Sequence, residues 1–552
     1  MARERSATPV ETALAGRPFP QRRRAVKSGS ILRSWITIGP PLDVQRHRQH
    51  LFGRYCPPLL RGNRLPSTSG GAAGPSSTVA VLQRLRVGAV PAKPAAGSAK
   101  LSPYRLLFVR SFPSVRSGAM ADDALPLDAK AELAGEWWQP DDAEATAYGL
   151  LTYTPEDGLL LRLTSGRDIV PINTSVPWLH GLTVDGRPIT LRNCSAFNWS
   201  LHIPGGVDAR VRAEQAFVGM HAASDRELSM LSLSARMVNL REWVGITGIA
   251  ATSLQQRVTR ISYTPPSTVY LGRNSGALFS VFFEPEGEAT PPRAPFTLRL
   301  EQQAWFETAV TRRRPFDDLL GLVVRFSDFL SFAAGIDSPI LELVGSARVP
   351  VREFGPGRVV YQRRPVWVLY HPFSLPTTPR AAERMLFRFE DVRARKLLPL
   401  TRWYRHTRDL EPVRNLYLSA LPTRPLHIEY RFLAFAQALE AYHFRKQPKR
   451  THLQRRLQGL VDQLPAAIRK HVPSNFAELT KDTRNYFTHW YPKLEAKAAR
   501  GDQLITLTFA VKLLFELTML DELGFGKNQI AEWALRKNQR LVHDMRRSFL
   551  SL

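Results

Sequence analysis

The chain has 552 residues, 44% of them hydrophobic, which is enough for two to four domains with real cores. Its formal net charge of +28 suits a polyanionic partner without establishing one. Two cysteines, Cys56 and Cys194, rule out a disulfide framework or a cysteine metal site and fit a reducing cytosol.

The charge is unevenly placed. Residues 1–119 hold 20 Lys and Arg against 3 Asp and Glu, and the remainder holds 56 against 45. The first stretch is rich in Arg, Pro, Ser, Gly and Ala and shows little periodicity, so it reads as a disordered or mis-assigned extension. A transit peptide is the competing reading. Met120-Ala121-Asp122-Asp123 opens a balanced, globular-looking sequence, as a genuine start would. No segment approaches the roughly 20 uncharged apolar residues that a bilayer span needs. The longest candidate, Ile505–Leu520, is interrupted by Lys512 and Glu516 and reads as a buried bundle helix. A cytoplasmic protein with no membrane association is expected.

From about 130 to 380 the pattern is that of short strands and turns. Leu182–Leu191 forms two alternating runs around Asp185-Gly186, a strong hairpin signal. Leu278–Phe283 and Phe296–Leu300 read as further strands, as do Ile340–Val344 and Pro365–Tyr370. Between them, Phe316, Leu319, Leu320, Val323, Phe326 and Leu330 follow the 3.6-residue period and predict a helix over Phe316–Phe332. The expected fold class is α+β: a β-rich sandwich or barrel-like domain, then an all-α bundle over 385–552.

Five bundle helices are predicted: Arg431–Phe444, Leu453–Ile468, Asn475–Trp490, Leu504–Leu523 and Gln529–Phe549. Ser474 or Asn475 is placed to cap the third, and Gly524 to end the fourth. Pro492 stops the third helix, which puts His489 in its last turn. Arg484 lies five positions earlier, about 140° away around the helix. An Arg with a His supplies a fixed positive charge and a titratable base, sufficient to cleave RNA without a metal. A single straight helix does not bring the two together, whereas two helices meeting on a two-fold axis do. The bland reading is that both are ordinary surface or capping residues.

Several other residues carry two readings. Glu440 is either a solvated position or a carboxylate that orients Arg484. Arg445, Lys446, Lys449, Arg450, Arg455 and Arg456 form a basic run between the first two bundle helices, either a solvated loop or an RNA-phosphate contact. Trp137-Trp138 is either core or a base-stacking pair. Thirteen histidines include no HExxH, so no metal site and no cofactor are expected.

The stretch from Arg431 to His443, including Glu440 and Tyr442, followed by Thr483-Arg484-Asn485-Tyr486-Phe487-Thr488-His489-Trp490, resembles the HEPN domain of the ApeA-like anti-phage family. Gly135-Glu136-Trp137-Trp138-Gln139-Pro140 and Gly181–Cys194 resemble that family's N-terminal β domain. The likeness covers roughly residues 130–550. It implies a helical bundle that dimerises, a metal-independent endoribonuclease active in abortive-infection defence, and a catalytic Arg484, Asn485 and His489. RNA, with tRNA as one candidate, a second copy of the chain and a phage-derived trigger are the implied partners. The alternative is a non-catalytic HEPN module that binds RNA or nucleotide.

Overall fold

The structure, a computed structural model, describes residues 124–537 apart from 165–168, 172–173, 203–205, 255–256, 290–297, 354–358, 373–377, 406, 422–425 and 449–450. The extension over 1–119 and the end of the last predicted helix lie outside these residues.

Six antiparallel strands come first: β1 (Ala131–Gln139), β2 (Asp142–Thr154), β3 (Gly158–Leu163), β4 (Ser175–Thr183), β5 (Pro188–His202) and β6 (Gly206–Val218). They pair in the order β6-β3-β2-β1-β4-β5, and β5 pairs back onto β6, so the ring closes as a barrel. Alternation fills the inside: Leu133, Gly135 and Trp137 of β1 point inward, and Trp137 is fully buried. Its ring lies against Gly181 of β4, where a Cβ would sit 2.5 Å from it, so a side chain there would displace the tryptophan. The β4–β5 hairpin turns at Asp185-Gly186 as the sequence predicts, with Gly186 at φ 79°.

Beyond β6 the sheet continues outward. The later strands are β7 (Ser229–Met237), the small hairpin β8 (Ile249–Leu254) and β9 (Arg257–Tyr263), β10 (Val269–Asn274), β11 (Ala277–Ala289), β12 (Leu298–Pro315), β13 (Ile340–Glu353) and β14 (Val359–Tyr370). The order β10-β11-β12-β7-β13-β14 joins the barrel through β14–β6, giving one continuous sheet of 12 strands. A short helix, α1 (Leu240–Val244), follows β7, and α2 (Phe316–Ala334) runs between β12 and β13. The N-terminal turn of α2 is held to the barrel by Arg192, which forks onto Asp317 with both contacts at 2.9 Å.

The helical region is larger than the five expected helices. Three precede them: α3 (Phe389–Ala394), α4 (Leu398–Arg405) and α5 (Thr407–Ser419). The bundle proper follows with α6 (Ile428–Lys446), α7 (Leu453–Asp462), α8 (Ala466–Arg469), α9 (Phe476–His489), α10 (Gly501–Leu523) and α11 (Lys527–Lys537). The predicted helix Leu453–Ile468 is therefore two helices, because Pro465 lacks the N–H needed to continue α7 and instead starts α8. Gly524 ends α10 in the left-handed conformation, as expected. α10 is long and apolar enough to cross a bilayer by length and composition, yet 72% of its apolar window is buried inside the protein.

All described residues belong to one compact unit, and an aromatic chain explains why. Phe306 of β12 stacks on Phe326 of α2 at 3.9 Å. Phe329 and Phe332 carry the contact on to Trp403 of α4, and Phe332 to Tyr417 of α5. Tyr417 then packs on Phe435 of α6 and Phe515 of α10. Such rings bury 150–250 Å² each, so α2 is a shared core between sheet and bundle.

Candidate active site

Helix α9 buries Phe476, Ala477, Leu479, Thr480, Thr483 and Tyr486, a stripe at helical spacing. Asn475 occupies the N-cap position, but its side chain makes no capping hydrogen bond, contrary to expectation. At the other end, Trp490 takes the left-handed conformation and its N–H donates to the Tyr486 carbonyl at 2.6 Å. Pro492 then opens a 3-10 segment, Pro492–Lys497. The chain is pinned back onto α9 where the Ala499 N–H donates to Thr483 Oγ1 at 2.9 Å.

This frame leaves Arg484 and Asn485 half-buried and Thr488 and His489 exposed. Arg484 Nη2 donates to Glu440 Oε2 at 3.0 Å, and Arg484 Nη1 donates to Asn485 Oδ1 at 3.1 Å. Both the Arg484 and Glu440 side chains are 29% exposed. Two contacts on two different nitrogens fix the guanidinium plane, and its remaining N–H groups are the ones that can meet a phosphate. The Glu440 side chain is thus held against Arg484 and is not a freely solvated helix face. Asn485 turns its carbonyl to Arg484, which makes it a second support for the guanidinium.

His489 stacks on Tyr491, with ring centroids 5.1 Å apart and planes 24° from parallel. Its ring nitrogens have no hydrogen-bond partner among the described residues, and the side chain is exposed to solvent. Arg484 and His489 are about 7.5 Å apart along the axis and about 140° around it. Nothing in the sequence marks Tyr491 except that it is an aromatic residue just past the helix end.

The basic run does not act as one surface. Arg456 is buried, with Nε donating to the Thr451 carbonyl at 2.9 Å and its guanidinium 5.2 Å from the Phe444 ring. Its charge serves the fold, because the chain reversal before α7 brings a backbone acceptor and a ring to it, so the phosphate-contact reading does not hold. Lys446 pairs with Glu522 at 2.6 Å. Arg445 and Arg455 are exposed, while Lys449 and Arg450 lie outside the described residues. His443, next to Glu440's turn, is buried, and burial followed by the nearby Arg456 charge pushes its pKa down. Trp137 is core, as the bland reading holds. Trp138 packs edge-on against His180 and His221, which stack on each other at 4.6 Å.

The chain thus joins a barrel-and-sheet domain to a helical bundle that carries Arg484, Asn485 and His489 on one helix. Two family models match the chain in that order: ApeA N-terminal domain 1 over residues 132–396 and Apea-like HEPN over residues 433–529. The chain is an ApeA-like HEPN protein, of the nuclease-type defence class that its sequence resembles. No curated protein and no solved structure matches it.

Proposed function

We propose that this protein is a metal-independent endoribonuclease of anti-phage defence, acting in the cytoplasm as a homodimer. The observation that carries the reading is the arrangement on α9: an Arg484 guanidinium braced by Glu440 and Asn485, and a solvent-open His489 at the end of the same helix. His489 takes the proton from a ribose 2′-hydroxyl, whose oxygen attacks the adjacent phosphorus, and a protonated imidazole gives a proton to the departing 5′-oxygen. Arg484 stabilises the charge that grows on the phosphorane oxygens. Glu440 and Asn485 hold that guanidinium in place before the substrate arrives, which lowers the ordering cost at the moment of reaction. Products carry 2′,3′-cyclic phosphate and 5′-hydroxyl ends, and DNA, lacking the 2′-hydroxyl, resists.

The 140° offset between Arg484 and His489 favours a composite site in which one protomer presents the arginine and its partner the histidine. Trp490 and Tyr491, 63% and 48% exposed at the end of α9, supply apolar surface of the kind that an interface buries. The reading is tested by incubating the purified full chain with total RNA in EDTA and mapping the ends. Intact RNA, or products with 3′-hydroxyl ends, would overturn it.

A further inference from the structure

A cavity of about 500 Å3 lies where the sheet domain meets the bundle, away from α9. Its wall is built from the C-terminal end of α2, the segment over 380–391 that leads into α3, and helices α10 and α11. Its size is that of a small-molecule site and not of a packing defect. Gly335, the left-handed C-cap of α2 at φ 68°, has no side chain to fill the floor. A Cβ there would lie 3.6 Å from both Lys512 Nζ and Glu516 Oε1 and 3.9 Å from Arg380 Nη1, so three charged groups converge on that point.

Among the described residues the lining carries five cations against three carboxylates, and the carboxylates are largely committed. Glu516, buried, accepts from Lys512 at 2.5 Å and from the Tyr417 hydroxyl at 2.6 Å. Asp391 accepts the Arg388 backbone N–H at 2.8 Å, and the Arg388 guanidinium is paired with Glu390. The third, Glu383, is exposed. A bland role exists for some of the positive charge: Lys512 and Arg380 sit at the carbonyl end of α2, where cations are favourable. That role does not use Arg384 or Arg536. Both line the cavity, both are exposed, and neither has a carboxylate partner among the described residues. Two exposed arginines lining a polar cavity of nucleotide size supply guanidinium forks of the kind that match phosphate oxygens. Among the described residues no aromatic ring lines the cavity to stack a base, so recognition falls on the phosphates.

We propose that this cavity binds an oligophosphate group, carried by a nucleoside triphosphate or free as inorganic triphosphate. An occupant contacts the sheet-domain helix and the bundle together, so it binds the two halves as one.

Calorimetric titration of the full chain in metal-free buffer tests this with three probes: ATP, inorganic triphosphate and adenosine. ATP and triphosphate should bind saturably at one site and adenosine should not. ATP binding much tighter than triphosphate would assign the natural occupant to nucleotides, and equal binding to free oligophosphate. The double substitution Arg384→Gln/Arg536→Gln, at exposed positions, should weaken binding at least tenfold with unchanged circular dichroism. Arg484→Ala should leave binding intact. The proposal is overturned if neither phosphate probe binds, if binding survives the double substitution, or if Arg484→Ala abolishes it, which would place the anion at α9 instead.

Discussion

Glu440 and Arg484 stand 44 residues apart in sequence and meet across α6 and α9 at 3.0 Å. The pair sets a half-buried carboxylate against a half-buried guanidinium, and in the proposed function the first orients the second. Replacing Glu440 by Gln keeps the volume and a hydrogen-bond acceptor while removing the charge. RNA cleavage should fall about tenfold or more, since misplacing a positioned group is costly in rate. The loss should appear in kcat more than in KM. A Glu440→Gln protein as active as wild type would reduce this contact to ordinary bundle packing.

His489→Ala and Arg484→Ala should both abolish cleavage, by roughly 10²–10⁴ for removal of the proton carrier, but they should part company in stability. His489 is exposed and its truncation should cost less than about 0.5 kcal/mol. Removing Arg484 leaves the half-buried Glu440 carboxylate without its partner, a change worth about 1–3 kcal/mol. Urea denaturation of the two variants side by side checks the difference. Well-folded His489→Ala protein that still cleaves RNA would leave the proposed activity without its base.

The seam between sheet and bundle carries a titrating group. Burial pushes the Asp328 carboxyl of α2 up to about 7, with Asp337 and Glu411 adding to the rise and Arg414 and Arg325 opposing it. Arg414 is itself held in this seam, stacked 4.4 Å over Trp403 and donating to the Trp403 carbonyl. Between the ordinary 3.8 and about 7, the folded state holds a proton at Asp328 that the unfolded chain has released. Stability therefore falls as pH rises through that window, by at most about 1.4 kcal/mol per pH unit, and levels off above it. Asp328→Asn should remove this slope, so the variant should gain on wild type from pH 4.5 to 7 in urea denaturation. Parallel curves for the two proteins would sink the assignment.

What the sequence discloses, and what it hides, follows from where each interaction is made. The Asp185-Gly186 hairpin and the α2 stripe are legible because their signals are local: a positive φ at one residue, a period of 3.6 over nineteen. Helix α5 is hidden by Pro412, which sits inside it and reads as a breaker. Arg456 is legible as a charge and illegible as a buried one, because the Thr451 carbonyl and the Phe444 ring that claim it are brought there by the chain reversal before α7. The motif Arg484-Asn485…His489 is visible at once, whereas the choice between a solvated and an orienting Glu440 needs the packing of α6 on α9. Closure of β5 onto β6 joins neighbouring strands along most of their length, yet nothing in their alternation says that the other four strands complete a ring.

The composite-site reading makes the sharpest forecast. Arg484→Ala and His489→Ala protomers, each inactive alone, should regain activity when mixed and allowed to exchange subunits. In a heterodimer, one site receives the intact arginine of one chain and the intact histidine of the other, while the second site receives neither. Random exchange of equal amounts makes half the dimers mixed, each with one working site of two, so activity should recover to about a quarter of wild type on two-fold symmetry. If each protomer instead builds its site from its own α9, every site in the mixture lacks one residue and no activity returns. Sedimentation at micromolar concentration must show the dimer for the test to apply, and a fully active monomer would refute the composite site directly. Recovery near a quarter would also explain why α9 ends in the exposed Trp490 and Tyr491: the surface beside His489 would be where the partner's Arg484 arrives.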